Sequence, residues 1–245
     1  FIKQCNKLFM NEQIINLSVV IPVYNEEKTV LEIIKKINLL GKYCNLEVII
    51  VNDGSTDNSK DIIEKNTDLY TTNINLKKNY GKGKAVIEGL KKCSSDYVLI
   101  QDADLEYDPE DIQIFLKKLE EFNYDLIMGS RFIGDKRSVL NFWHMIGNKL
   151  ITLIFNFLNN TTFTDIYCCY CMFRKNTFDV KNLQSFGWGQ QAEILTYIIN
   201  KNSKLFEIGV NYNGRNYKEG KKIRYYDVFS VIYWIIYTKI KKIFL

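Results

Sequence analysis

Short β-branched runs alternate with amphipathic stretches through the first half of the chain, and this alternation limits the fold more than any other feature. Residues 17–23 (Leu-Ser-Val-Val-Ile-Pro-Val) predict a buried strand bounded by Pro22 and the polar Asn25-Glu26. Residues 26–40 carry apolar side chains at Val30, Ile33, Ile34 and Ile37 and stop at Gly41, which predicts a helix. Further strands are expected at 46–51, 71–76, 97–101 and 125–128, and helices at 58–65, 81–93 and 108–122. Elements of these lengths in this order imply right-handed βαβ units and a mostly parallel α/β sheet. Ligands of such sheets gather beyond the carboxyl ends of the strands, where Asn25, Asp53 and Asp102 fall.

The second half is less regular. Residues 139–158 read as an apolar helix whose polar members, Asn141, His144, Asn148, Thr152 and Asn156, lie on one stripe. A strand is expected at 165–173, a helix at 187–200, a strand at 205–212 and a basic loop at 213–223. The chain ends in a helix rich in Tyr, Trp, Ile and Lys.

Composition removes whole classes. With 47% apolar and 25% charged residues over 245 positions, disorder, collagen and coiled coil are excluded, and one large domain or two small ones fit. Six cysteines (Cys5, Cys44, Cys93, Cys168, Cys169, Cys171) are no disulfide framework at this length, and reduced thiols are expected. No signal-peptide pattern opens the chain, which starts at Phe1 with Met10 an alternative start. No apolar run reaches the length of a membrane-crossing helix. Residues 201–245 hold ten Lys/Arg against three Asp/Glu, a charge of +7 within a total of +5. A basic segment interleaved with aromatics suggests an anionic partner, either a membrane surface or nucleic acid. Nucleic acid is disfavoured, because acids such as Asp53, Asp102 and Asp104 repel a phosphate backbone.

Four motifs carry chemistry. Asp102-Ala-Asp104-Leu-Glu106 directly follows a strand, and two carboxylates at that spacing can share one hard divalent cation with a diphosphate. Asp108 before Pro109 reads as a helix cap. In Val51-Asn-Asp53-Gly-Ser-Thr-Asp57, Asp53 is assigned to a base edge or ribose and Thr56 or Asp57 to a cap. Pro22-Val-Tyr-Asn-Glu26 follows the first strand. Gly81-Lys-Gly83-Lys84 opens a helix and suits a nucleotide phosphate or ribose.

In this order these motifs resemble the family 2 glycosyltransferases of the GT-A fold. Gly129-Ser-Arg131-Phe132, residues 164–170, and Arg215-x-Tyr-x-Glu-Gly220-Lys-Lys-Ile223 resemble the branch related to dolichol-phosphate mannose synthase and bacterial polyprenyl-phosphate sugar transferases. The resemblance implies a GT-A domain, a Rossmann-like sheet flanked by helices, over residues 17–224. An N-terminal extension (1–16) would precede it and a basic, aromatic, amphipathic helix (225–245) would follow. It implies that Pro22, Tyr24, Glu26, Asp53, Lys84 and Asp102 bind the nucleotide-sugar. Asp102, Asp104 and Glu106 would hold Mg²⁺ or Mn²⁺, and Arg131 would neutralise the diphosphate. Arg215, Lys221, Lys222 and Glu193 would face the acceptor. Two departures stand out: Cys171 replaces a lysine, and Gln191-Ala-Glu193 keeps one acid of a usual pair.

The implied activity is inverting, metal-dependent transfer from a UDP- or GDP-sugar to a polyprenyl or dolichyl phosphate, by a protein peripheral on the cytoplasmic face of a membrane. A lipid phosphate is already anionic and needs no base, only cations that bring two anions together. A glycan hydroxyl acceptor would instead need a carboxylate base, with Glu193 or Asp165 as the candidates.

Overall fold

The computed structural model describes residues 14–134, 142–215 and 227–244. Strands β1 (Asn16–Val23) and β2 (Asn45–Asn52) pair in parallel along their whole length. Seven strands form one sheet in the order β3-β2-β1-β4-β6-β5-β7, with β3 Thr72–Asn75, β4 Tyr97–Ile100, β5 Leu126–Ser130, β6 Cys171–Arg174 and β7 Leu205–Gly209. Only β6 runs antiparallel, between β4 and β5. Helices α1 (Val30–Asn38), α2 (Ser59–Glu64), α3 (Lys82–Leu90), α4 (Ile112–Glu121), α5 (Phe142–Asn159), α6 (Gln190–Ile198) and α7 (Asp227–Ile243) complete the chain.

The apolar runs explain the centre of the sheet. Leu17, Val19, Val20 and Ile21 of β1 are all fully buried, as expected of a parallel strand covered on both faces. Helix α1 buries Val30, Ile33, Ile34 and Ile37, the positions its spacing singled out. It begins four residues later than expected, because Glu26–Thr29 form a hydrogen-bonded turn before it. Asp108 does cap the short 3-10 turn before α4, accepting the Glu110 amide.

The expected strand at 165–173 is shorter. Only Cys171–Arg174 joins the sheet, because the preceding amides bond to side chains. Glu207 accepts from the Thr164 and Asp165 amides, and Thr152 from the Ile166 amide. The strand expected to reach Tyr212 ends at Gly209, with Tyr212 forming an isolated bridge to Tyr107.

Helix α5 buries a mixed face, with Ile151 and Phe155 in the core beside the polar Thr152 and Asn159. Its polar residues Thr152 and Asn156 bond inward to the 161–166 loop. Phe142, Ile146, Leu150, Leu153 and Phe157 stay exposed along the opposite stripe. Helix α7 packs against α5 and α6 and leaves its own stripe exposed at Phe229, Tyr233, Ile236, Ile240 and Ile243.

The entry to α3 is crossed at close range by the backbone of Ser185–Phe186. A Cβ on Gly83 would lie 2.3 Å from the Ser185 carbonyl oxygen and 2.7 Å from the Phe186 carbonyl carbon. Gly83→Ala should therefore cost about 1–3 kcal/mol, the range for overpacking a tight site. Urea unfolding tests this, and a wild-type midpoint would show that the crossing relaxes freely.

Candidate functional site

The loops beyond β1 and β2 are stitched together. Asn25 adopts a left-handed conformation at φ +52°, and its side chain accepts the Thr56 amide at 2.8 Å. The Glu26 amide donates to Ser59, and the Glu27 amide to Asp57. Asp57 also accepts the Ser59 amide at the start of α2, which matches the capping role read for it. Pro22 and Tyr24 lie at this edge, both partly buried.

Asp53 sits at the same edge, 2% exposed, with its two oxygens accepting the Tyr80 and Gly81 amides at 2.9 Å each. Burial pushes its carboxyl above the usual range, and these two hydrogen bonds pull against that shift. Asp53 thus shapes the Asn79–Gly81 turn. Its oxygens keep further lone pairs for a ligand.

The glycines of the 81–84 motif serve that turn and the backbone crossing. Gly81 lies at φ +100°, and the Lys84 amide donates to the Phe186 carbonyl at 3.2 Å. Lys84, expected at the nucleotide, instead pairs with Glu88 at 2.7 Å and lies over the Phe186 ring. The neighbouring Lys82 is the lysine that reaches Asp102. Its ammonium meets both oxygens of Asp102, at 2.6 and 2.8 Å. Burial works against that charge, but the adjoining Asp102 carboxylate outweighs it and raises the Lys82 pKa. The i,i+4 spacing of Lys84 and Glu88 was the sequence signal that could have separated the two lysines.

Asp104 and Glu106 flank Leu105, a bulky residue held at φ +61°, the kind of strain that clusters at functional sites. Segment 211–215 is drawn over them. Asn211 binds Asp111 through its amide and side chain, the Asn213 amide donates to the Glu106 carbonyl, and the Tyr212 hydroxyl to the Glu106 carboxylate at 2.9 Å. These contacts deliver Arg215. Its two terminal nitrogens reach Glu26 at 3.0 and 3.1 Å, and one also reaches Asp104 at 2.9 Å. Glu26, expected to line the nucleotide pocket, is buried and serves as the fork partner of Arg215. Burial first, then the charges of Asp102 and Glu106, push the Asp104 carboxyl up to about 7, with Arg215 opposing.

Two further acids are withdrawn from solvent. Asp165 is fully buried and takes the Arg131 guanidinium in a fork at 2.7 and 2.8 Å, so Arg131 is aimed rather than free. Glu193, expected at the acceptor, is also fully buried. Both its oxygens accept the Gln184 amide, and one accepts the Ser185 amide as well, which fixes the loop that crosses α3. Lys221 and Lys222 lie outside the described residues.

The donor set suits a small, hard divalent ion. Asp102, Asp104 and Glu106 offer carboxylate oxygens, the donor type such an ion prefers. Among the described residues no three His, Cys, Asp or Glu stand at metal-cage spacing. Asp102, Asp104 and Glu106, expected to hold the ion together, are thus not set as a three-carboxylate cage, and a Mg²⁺ or Mn²⁺ ion here would draw on one or two of them.

The family model described as Glycosyl transferase family 2 matches residues 18–180. An uncharacterized protein of Methanocaldococcus jannaschii is 31% identical over 220 residues, covering 83% of this chain and 93% of that protein. The undecaprenyl-phosphate 4-deoxy-4-formamido-L-arabinose transferase of Pseudomonas syringae is 31% identical over 66% of this chain, which spans about half of that enzyme's length (48%). Glucosyl-3-phosphoglycerate synthase from Mycobacterium tuberculosis, solved with uridine diphosphate, shares the fold at a TM-score of 0.68 and 16% identity, over 92% of this chain and 79% of that one. The same synthase has been solved with Mn²⁺, uridine diphosphate and glucosyl-3-phosphoglycerate.

The raised Asp104 carboxyl fixes a sign. A carboxyl with a folded pKa above its unfolded value lowers stability as pH rises from about 4 to about 7, because the unfolded chain releases its proton first. Asp104→Asn removes that loss. In chelator the variant should exceed wild type by about 1–3 kcal/mol at about pH 8, with the gap closing below about pH 4. Denaturant titrations across pH measure this. A variant weaker than wild type at the alkaline end would show that the Arg215 pair outweighs the crowding.

Proposed function

The chain belongs to glycosyl transferase family 2, and on that premise we propose that it transfers a sugar from a UDP- or GDP-sugar, with inversion, to a polyprenyl or dolichyl phosphate at a membrane surface. The observation that carries this reading is the state of the two candidate bases. Asp165 and Glu193 are both fully buried, one in a fork with Arg131 and the other on backbone amides. A hydroxyl acceptor needs a carboxylate to take its proton, and an ionised phosphate does not. The likeness to an undecaprenyl-phosphate transferase supports the same choice.

In this reading the donor lies across the strand-end loops, with its nucleoside against Pro22, Tyr24 and Asp53 and its diphosphate toward Asp102 and Asp104. A divalent ion held by Asp104 with Asp102 or Glu106 would neutralise the leaving diphosphate. Arg131, held in orientation by Asp165, adds positive charge beside it. The Lys82–Asp102 pair positions that carboxylate. Arg215, anchored on Glu26 by its fork, offers the remaining edge of its guanidinium to the acceptor phosphate, which attacks the anomeric carbon from the face opposite the diphosphate.

The membrane part of the proposal rests on α5 and α7. Trp143 and Phe229 are each 75% exposed and Phe157 is 85% exposed, on helices that pack together. Apolar stripes of this size mark interaction surfaces, and they suit helices lying in the interface of a bilayer. No helix among the described residues is long and apolar enough to cross one. The tail lysines point elsewhere than expected for headgroup contacts. Lys242 donates to carbonyls at the end of α6, Lys241 to the Asn182 carbonyl, and Lys239 to Asn159.

The test of activity is a panel of UDP- and GDP-sugars with Mn²⁺ or Mg²⁺, offered polyprenyl phosphate or a glycan. Chelator-sensitive transfer to polyprenyl phosphate is expected, and transfer to the glycan alone overturns the reading. Arg215→Ala should lose about 2–5 kcal/mol in kcat/KM, as for truncating one partner of a buried charge pair, while Glu193→Gln should keep most turnover per folded molecule. For the surface, replacing Trp143, Phe157 and Phe229 with Ser should reduce vesicle pelleting without lowering the melting temperature. Pelleting that persists undiminished would remove these helices from the membrane account.

A further inference from the structure

Arg215 stands among the carboxylates expected to serve a metal ion. Glu26, Asp104 and Glu106 all point at this one guanidinium, with the Glu106 oxygen 3.7 Å from its Nε. That Nε is buried and has no hydrogen-bond partner. The fork on Glu26 has two bonds, whereas Asp104 receives one, from a nitrogen already shared with Glu26. Asp104 therefore has the weaker hold on Arg215, and Glu26 the stronger.

A divalent ion and a guanidinium compete for the same carboxylate oxygens, because Arg215 already occupies the Asp104 oxygen at 2.9 Å and faces Glu106 at 3.7 Å. We propose that Arg215 is the resident counter-cation of the metal site. It holds Asp104 and Glu106 while no divalent ion is bound. Binding of the ion releases it from Asp104, and it stays anchored on Glu26 with one edge free for the acceptor phosphate. The inference rests on the metal-dependent transfer reading above. It gives that reaction an order, since the edge that grips the acceptor becomes available only after the ion has arrived with the donor. Coupling of this kind is reciprocal, so an ion that loosens Arg215 is itself bound less tightly for having to displace it.

The experiment uses the full chain and Mn²⁺ alone, with no nucleotide and no acceptor, reading free Mn²⁺ by electron paramagnetic resonance. Arg215→Gln should bind Mn²⁺ more tightly than wild type, on the order of tenfold, within the usual span of site-to-site coupling. Arg215→Lys, which keeps a charge, should stay nearer wild type. The gain should vanish in the double variant Arg215→Gln with Asp104→Asn. Equal or weaker Mn²⁺ binding by Arg215→Gln overturns the proposal but leaves metal dependence standing, and so does a gain that survives loss of Asp104. No Mn²⁺ binding by either protein, even with UDP or GDP added, removes the metal reading and the proposal with it. Melting curves provide a second readout. Arg215→Gln should lose stability in chelator and recover it with Mn²⁺, whereas an equal loss in both would make Arg215 a purely structural tie.

Discussion

Compensation of buried negative charge at the carboxyl edge of the sheet is the constraint on which the other features depend. Glu26, Asp53, Asp102, Asp104, Glu106 and Asp165 all gather there, and each is buried or largely so. A carboxylate withdrawn from water without a partner is expensive enough to change its protonation state or the fold. Each of these acids accordingly meets a donor supplied by the chain. Asp53 has two backbone amides, Asp102 has Lys82, Asp165 has Arg131, and the other three share Arg215. The Arg215–Glu26 fork spans 189 positions of sequence. The site therefore forms only when the last third of the domain closes over the first strand, and fold and site are one cooperative problem.

That constraint also explains what could be read from the sequence. Strands buried on both faces, such as Leu17 to Val23 and Tyr97 to Ile100, announce themselves by continuous apolar runs, and the acids that follow them inherit their position from the sheet. The acidic motif and the turn at Asp53 were legible for this reason. Partners brought in by tertiary contact were not. Nothing local distinguishes Asp165 in a fork with Arg131 from Asp165 as a free base, or Glu193 on loop amides from Glu193 at an acceptor. Lys82 and Lys84 lie in one Gly-Lys repeat that does not tell them apart, and the fold shows that Lys82 reaches Asp102 while Lys84 pairs with Glu88 four residues on.

The amphipathy of α5 misleads in the same way. A helix with a polar stripe is ordinarily read with that stripe facing water. Here Thr152 and Asn156 satisfy backbone groups of the 161–166 loop, which would otherwise be buried without partners, while Ile151 and Phe155 fill the core and a second apolar stripe faces out. The positive charge of α7 is likewise turned inward in part. Lys242 caps the carboxyl end of α6, where free carbonyls and the helix dipole favour a cation. What the two helices present to the outside is chiefly apolar area, so the attachment proposed for them depends on burial of that area more than on headgroup charge.

The outward-facing helices and the reaction centre share a support. Trp234 of α7 packs where any Cβ on Gly189 would fall, 2.3 Å from its ring, so α7 is seated directly on the start of α6. From α7, Tyr237 bonds the Gln184 side chain and Lys241 the Asn182 carbonyl. From α6, Glu193 bonds the amides of Gln184 and Ser185. The same loop then lies against Gly81 and Gly83, and Gly81 is bound to Asp53. The series runs through close packing at Gly189, Gly81 and Gly83 and through hydrogen bonds, and interiors packed at such distances transmit displacement instead of absorbing it. A bilayer contacting α7 would then hold the donor edge of the sheet at a set height. A phosphate carried on a lipid tail can rise only so far from the membrane plane, so under the proposed function a rigid mount of this kind would let it meet the sugar at a fixed depth.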